Sequence, residues 1–369
     1  MKEKATSTAS ELGMSQEAIE KFQVAITEMA KPKPNNKLTI DALTRSVELE
    51  PTFAEAHYNL GLIYTGLGQN GKAEQYLRKA KKIDPDVLDY TVALGRAIAV
   101  NGKFDEAQKL FAEVVAREPD NLNAINNLAV LAFRKGDNKE ALKFLQTILR
   151  EDSENVGALT TLGQVYHKEN NLSLAKYIFN RAIKVDKTNP DLHNNLGLVY
   201  IQEEKIPQAV ASFKTAVASD PNYLQARLNL GTILLEYLDY DRAGAQFSEA
   251  VRIAPEHCVA HLGNGATLYA LGKYAEAEKE YIFYTEQCDK EHVSSYERLA
   301  KLNESFLNNP NKAIVNYEKL VGLTKEKEKI TQYNAMINFL KSQTAQKAPK
   351  EPEETKEETP KEESKESGE

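Results

Sequence analysis

The residues of this chain best suited to metal binding or redox chemistry are cysteines and histidines gathered near residues 257–292. The cluster consists of His257, Cys258, His261, Cys288 and His292. Thiolate and imidazole groups ligate zinc, and two cysteines can instead form a disulfide in an oxidising compartment. A third interpretation is a set of independent, partly buried residues. The sequence leaves these alternatives open, and our site prediction contains a possible disulfide between Cys258 and Cys288, no metal and no other cofactor.

A second pattern with chemical meaning is Gly-Leu-Gly-Gln-Asn-Gly at residues 66–71, which matches G-x-G-x-x-G. In a dinucleotide site this motif needs a strand before it and a helix after it. A helical pattern precedes it here, so the glycines are explained by the backbone needs of a turn. No Ser/His/Asp or Cys/His nucleophile arrangement and no paired carboxylates stand out. We therefore predict no catalytic residues and no enzymatic activity.

Composition narrows the class of protein further. Hydrophobic residues make up 41% of the 369 residues, which is enough to bury a core. The net charge of −7 lacks the basic excess expected of a nucleic-acid binder. No apolar run is long enough to span a bilayer, and the first ten residues lack the apolar segment of a signal peptide. We expect a cytoplasmic protein; the alternative is a periplasmic or lipid-anchored envelope protein whose signal has been removed.

The elements that position these residues follow an internal repeat of 34 residues. Prolines at positions 51, 85, 119, 221 and 255 are separated by 34 residues or, once, by three times that spacing. Alanine recurs at the same interval from Ala73 to Ala277. A large residue does so at Leu77, Phe111, Leu145, Phe179, Phe213, Phe247 and Tyr281. Seven units beginning at residues 54, 88, 122, 156, 190, 224 and 258 follow one another without insertion.

Each unit has the pattern of two helices. In the first unit, Leu60, Ile63, Tyr64 and Leu67 lie at helical spacing. A turn rich in glycine and polar residues follows, and a second helix is predicted from near Lys72 to just before residues 84–85. Proline ends that helix because it cannot donate a hydrogen bond to its continuation. Small residues at the Gly61 and Ala73 positions are predicted to let the two helices approach closely.

With this period and signature the chain resembles the tetratricopeptide repeat (TPR) family. The resemblance implies an all-α, right-handed superhelical solenoid of about nine units with a C-terminal capping helix. We expect a flexible N-terminus at 1–14, a degenerate cap at 15–53, seven repeats at 54–291, a degenerate repeat with a capping helix at 292–342, and a disordered acidic tail at 343–369. That tail holds nine Glu and five Lys. The chain also resembles, in general composition only, the TPR lipoproteins of bacterial gliding motility.

The family places the sixth residue of each unit in an inner groove, and four of the seven units have asparagine there. An amide offers two donors and an acceptor to a peptide backbone. The row resembles the asparagine ladder in the TPR superhelix of O-linked N-acetylglucosamine transferases. The alternative is that these asparagines are ordinary repeat variation or bind neighbouring helices. The predicted peptide-binding residues are Asn59, Asn126, Asn127, Asn194, Asn195, Leu198, Leu228 and Asn229.

These patterns together predict a non-enzymatic interaction scaffold that holds an extended peptide segment of a partner protein in its concave groove. Chaperone-binding members of the family clamp a C-terminal carboxylate with lysine and arginine on three successive first helices. That set is not present in order here, because Arg96 is the one inward cation on the corresponding first helices. Two alternatives remain. One is a structural component of a multiprotein envelope or motility assembly that uses its convex face. The other is a substrate-docking subunit of an enzyme. The sequence leaves the oligomeric state open.

Overall fold

The computed structural model describes residues 13–347, which contain α-helices, two short π-helical turns and no β-strand. The prediction of an all-α fold is confirmed. The chain divides after Asp220 into two compact units. Unit 1 denotes residues 13–220 below, and unit 2 denotes residues 221–347.

Unit 1 consists of antiparallel helix pairs, each packed against the next pair along the chain. Its helices are α1 (Gln16–Met29), α2 (Asn36–Leu49), α3 (Ala54–Gly66), α4 (Asn70–Ile83), α5 (Leu88–Val100), α6 (Phe104–Arg117), α7 (Leu122–Lys135), α8 (Asn138–Glu151), α9 (Val156–Lys168), α10 (Leu172–Val185), α11 (Pro190–Gln202) and α12 (Ile206–Ser219).

Unit 2 continues the same arrangement but contains both π-helical turns. Its elements are α13 (Leu224–Glu236), α14 (Tyr240–Ile253), α15 (Cys258–Ala270), α16 (Tyr274–Phe283) with the π turn Tyr284–Cys288, α17 (Val293–Lys301) with the π turn Leu302–Phe306, α18 (Pro310–Leu323) and α19 (Lys327–Lys347). Helix α19 continues beyond residue 343, where we predicted the acidic tail to begin. The rest of that tail and most of the predicted flexible N-terminus lie outside the described residues.

Glycine allows the two helices of a repeat to pack closely at one point. A methyl group added to Gly95 would lie 2.5 Å from Phe111 Cε1, and one added to Gly163 would lie 2.5 Å from Phe179 Cε1. Both rings are buried in the core. The periodic large residues predicted from the sequence therefore fill the space above the periodic small ones.

The turn between the two helices of each repeat requires a left-handed residue, the conformation that glycine adopts without a steric penalty. Four of the seven full repeats have glycine at this position. The left-handed residues are Gly68, Gly102, Gly136, Asn170, Glu204, Leu238 and Gly272. Asparagine tolerates this region well, whereas a bulky side chain there is an outlier.

A side chain at the fourth residue of five first helices closes the turn that precedes it. His57, His193 and His261 each direct Nε2 at the carbonyl oxygen six residues earlier, at 2.9–3.0 Å. Arg227 Nε donates to the equivalent oxygen of Pro221 at 2.8 Å. In the degenerate repeat, the hydroxyl of Tyr296 makes the same bond. These histidines therefore have a structural role that their residue type alone did not reveal.

Candidate functional site

Three of the predicted ladder asparagines lie in unit 1, each at the sixth residue of a first helix. Asn59 lies on α3, Asn127 on α7 and Asn195 on α11, and all three are half-buried. Asn229 has the same place on α13 in unit 2 and is also half-buried. Each of these residues thus keeps part of its surface exposed.

The amides of two ladder residues are oriented by their own helices. Asn59 Nδ2 donates to the carbonyl oxygen of Glu55, and Asn127 Nδ2 donates to that of Asn123, both at 2.7 Å. Each bond uses one of the two amide protons. The side chains are therefore held in the same orientation two repeats apart, and a second N–H remains on each.

Polar side chains of the preceding first helices contact two of these amides. Arg96 Nε on α5 donates to Asn127 Oδ1 at 3.2 Å, and Gln164 Nε2 on α9 lies 3.5 Å from Asn195 Oδ1. Arg96 and Gln164 both occupy the ninth residue of their repeats. These bonds agree with our alternative interpretation, in which the asparagines bind neighbouring helices, and a ligand donor would have to share the two Oδ1 atoms with Arg96 and Gln164 or replace these bonds.

The flanking residues predicted to widen the ladder are less accessible. Asn194 is 4% exposed and Leu228 is 5% exposed, so each side chain presents little surface to a ligand. Asn126 is half-buried, but its Oδ1 atom is buried and has no hydrogen-bond partner among residues 13–347. Leu198 remains half-buried, as a groove contact requires.

In unit 2 the structure joins Cys258 and Cys288 in a disulfide with a Cα–Cα distance of 5.7 Å. Cys258 is the first residue of α15 and Cys288 ends the π turn after α16. Because α15 and α16 pack as neighbours in the helix pair, both residues lie at the same end of the repeat.

One of the three histidines in the same cluster, His261, has both ring nitrogens engaged. His261 Nε2 faces the carbonyl oxygen of Pro255, Nδ1 faces Glu280 Oε2, and the ring stacks on Phe283 with centroids 3.7 Å apart. Glu280 also accepts from Asn264 Nδ2. Within residues 13–347 the structure gathers no group of three or more residues able to hold a metal ion. His261 therefore serves packing between α15 and α16.

A carboxylate in unit 1 joins two consecutive repeats. Glu74 on α4 is 8% exposed and accepts hydrogen bonds from Lys103, Arg78 and Asn101. Burial opposes its ionisation, but these hydrogen bonds outweigh burial and lower the pKa of Glu74 to about 2. The cluster stabilises the contact between repeats, because every charge in it has a partner.

Our sequence reasoning missed an aromatic pocket in unit 2, where α13, α15 and α17 end. Leu238, Tyr269 and Arg298 line it, and the partly exposed Phe306 contacts Tyr269. The available signal was the leucine at a turn position where the other repeats have Gly, Asn or Glu. Across residues 13–347, no helix combines the length and apolar character needed to cross a bilayer.

Comparison with known proteins agrees with the helix-pair architecture. Models of the tetratricopeptide repeat match residues 54–87, 101–155 and 194–257, and a model described as a TPR repeat matches residues 163–203. No curated protein matches the chain significantly in sequence.

Several solved structures are similar to this chain. PilF of Pseudomonas aeruginosa is 19% identical with a TM-score of 0.50, over 58% of this chain and 96% of that one. PilW, described as a type IV pilus biogenesis factor, is 20% identical with a TM-score of 0.46, over 58% of this chain and 98% of that one. A TPR protein of Parabacteroides merdae is 17% identical with a TM-score of 0.41, over 69% and 98%. The matched repeats and the consecutive helix pairs show that this chain belongs to the tetratricopeptide repeat family, whose members are scaffolds for interactions between proteins.

Proposed function

We propose that the chain is a non-enzymatic scaffold that binds an extended segment of a partner protein along the first helices of unit 1. The asparagine amides at the sixth residue of these helices bind the backbone of the segment. Adjacent apolar side chains contact its side chains. This function extends the protein–protein interaction role common to TPR proteins to one surface and one mode of recognition.

The observation that carries the proposal is the shared orientation of Asn59 and Asn127. Each amide is held by a 2.7 Å bond to the backbone of its own helix. An amide fixed in this way loses less rotamer freedom when it binds a ligand. Its second N–H can donate to a peptide carbonyl whatever the side chains of the peptide are, which suits a scaffold for extended segments.

Apolar contacts complement the amides on the same helix faces. Leu62 follows Asn59 by three residues on α3, and Leu198 follows Asn195 by three residues on α11. Residues three apart lie side by side on a helix surface. Leu62 is exposed and Leu198 half-buried, so each amide has an apolar neighbour that can contact a ligand side chain.

The test compares partner capture by the wild-type chain with capture by an Asn59/Asn127/Asn195→Ala variant, with bound proteins identified by mass spectrometry. Asn180→Ala is the matched control, because Asn180 makes the same bond to the carbonyl four residues earlier but lies on a second helix, α10. Circular dichroism establishes that all chains are folded. We expect a partner bound by the wild type and the control but lost from the triple variant. Equal capture by all three chains would refute the proposal.

A further inference from the structure

The aromatic pocket of unit 2 has a volume of about 440 Å³ and lies where three first helices end. Its lining includes Leu235 and Leu238 at the end of α13, Tyr269 on α15 and Arg298 on α17. One of these lining residues, Leu238, is 68% exposed, and Tyr237 beside it in the chain is 62% exposed. An exposed apolar surface of this kind needs an explanation beyond folding.

Leu238 is in a conformation that folding alone disfavours. Its φ of 61° lies in the left-handed region, where a bulky side chain is an outlier. Six other repeats place Gly, Asn or Glu at this turn position, so the turn does not require leucine. The side chain is also mostly exposed and stabilises little core. A residue that is strained and exposed at the rim of a pocket points to a role in binding.

Arg298 supplies one positive charge to the pocket. Its guanidinium lies 4.8 Å from the centre of the Tyr269 ring, and no carboxylate among residues 13–347 forms an ion pair with it. The nearest acidic residues along the chain have other partners. Glu297 accepts from the hydroxyl of Tyr333, and Glu304 accepts from that of Tyr317. A guanidinium on an aromatic ring is well placed to receive a carboxylate in a bidentate manner.

A π-helical turn places a further aromatic ring against Tyr269, one of the lining residues. Helix α17 gives way to the π turn Leu302–Phe306, and its last residue, Phe306, is 44% exposed. The Phe306 ring stacks on Tyr274 with centroids 3.9 Å apart and meets Tyr269 edge-on at 6.1 Å. Single π turns are energetically unfavourable in helices and are frequent at functional sites. The turn therefore ends with a partly exposed aromatic side chain beside Tyr269, which lines the pocket.

We propose that this pocket binds a segment of a partner protein in which a large apolar side chain stands beside a carboxylate. The apolar side chain contacts Leu235, Leu238 and Tyr269, and the carboxylate pairs with Arg298. The chain's own acidic tail does not fit, because residues 348–369 carry carboxylates but no large apolar side chain. The inference rests on the proposed function in one respect only, namely that the ligand is a protein segment.

The probe is an array of Gly/Ser peptides that each contain one variable pair of adjacent residues, incubated with the full labelled chain. We expect binding to pairs that join Phe, Leu, Tyr or Trp to Asp or Glu. Replacing the acid with its amide should weaken binding about tenfold, the fold-change that matches loss of one charge-assisted contact. A blank array, or one dominated by Lys or Arg pairs, would overturn the inference.

Two variants and one control assign the binding to the pocket. Arg298→Gln should abolish the preference for acids while the need for a large apolar residue remains. Leu238→Asn should weaken binding to all pairs, and the turn is kept because Asn170 occupies the same position in another repeat. Val315→Asn, which replaces an equally exposed apolar residue on α18, should leave the array unchanged. Wild-type binding by either pocket variant would overturn the inference.

The same array separates this inference from the proposed function. The Asn59/Asn127/Asn195→Ala chain should bind the peptides like the wild type, because its changes lie in unit 1. A blank array with a partner lost from the triple variant would refute the pocket alone. Binding to the array with unchanged capture by the triple variant would refute the ladder alone. Self-association that Leu238→Asn abolishes, with a blank array, would overturn the inference in favour of a second copy as the occupant.

Discussion

Replacing Gly163 with alanine tests the close helix approach on which every repeat depends. The added methyl would lie 2.5, 2.7 and 2.8 Å from Cε1, Cζ and Cδ1 of Phe179. Phe179 is completely buried, so its ring has no free space into which it can turn. The two helices must separate, or the ring must leave its preferred rotamer.

The expected cost follows from two opposing contributions. Overpacking a well-packed core costs about 1–3 kcal/mol, and three short contacts favour the upper end. Alanine is better than glycine in a helix by about 1 kcal/mol. We therefore expect Gly163→Ala to lower the free energy of unfolding by about 2 kcal/mol.

The third repeat supplies a natural compensating pair. It has Ala129 where the other repeats have glycine and Leu145 where most have phenylalanine, and both are fully buried. In a Phe179→Leu background, Gly163→Ala should therefore cost less than it does beside phenylalanine. The expected coupling energy of about 1–2 kcal/mol lies within the range observed for residues in contact.

Urea unfolding followed by circular dichroism measures the four chains of this double-mutant cycle. Repeat arrays can lose two-state behaviour, so amide hydrogen exchange in α9 and α10 provides the local comparison. Gly71→Ala is the control, because a methyl there meets no atom within 4 Å and should stabilise α4 by up to about 1 kcal/mol. Wild-type stability of Gly163→Ala, or additive effects in the cycle, would refute the reasoning.

Four further measurements follow from the structure. Cys288→Ser should lower the unfolding free energy of unit 2 by about 2–4 kcal/mol, because it removes a disulfide between residues 30 apart in the chain. Detection of two free thiols in the unreduced, denatured wild type would contradict the bond. The pKa of Glu74 is lowered from 4.5 to about 2 in the folded chain, so its stabilising contribution should be present above pH 4.5 and be lost as the pH falls toward 2; acid titration of Glu74→Gln should lack this part of the transition. Burial lowers the pKa of His57, so the folded state favours the neutral ring. The midpoint of urea unfolding should therefore drop as the pH falls below about 6.5. If a His57→Gln chain shows the same drop between pH 7 and 5, the effect belongs to another group. Leu238→Asn should leave the unfolding free energy unchanged or raise it by up to about 1 kcal/mol, because it relieves left-handed strain; a loss of more than about 1 kcal/mol in denaturant unfolding would make Leu238 a structural residue.

The asparagine ladder shows which features the sequence periodicity could predict without a structure. It placed Asn59, Asn127 and Asn195 at one recurring helical position, and in the structure all three are half-buried at the sixth residue of a first helix. It could not separate accessible from buried flanking positions. Asn194 and Leu228 are buried, because a residue one step along a helix turns by about 100° and can face a neighbouring helix instead of solvent.

The unit 2 pocket shows the opposite case. Leu238 appears in the sequence as one more apolar residue near a helix end. Its left-handed backbone and its exposure are properties of the folded turn. The position of Phe306 likewise depends on a π turn, which has no simple sequence signature. Only the packing of three helices brings these residues together with Arg298.

The sequence by itself determined the all-α fold, the family and the register of the repeats, because within each unit the repeats bury their apolar faces against one another. Contacts between adjacent repeats recur every 34 residues and therefore require similar residues at that spacing in the sequence. The disulfide between Cys258 and Cys288, the Glu74 cluster and the aromatic pocket were decided only by tertiary structure. They depend on which side chains of neighbouring helices face one another. Because each of these contacts occurs once, it produces no repeating pattern in the sequence from which it could be predicted.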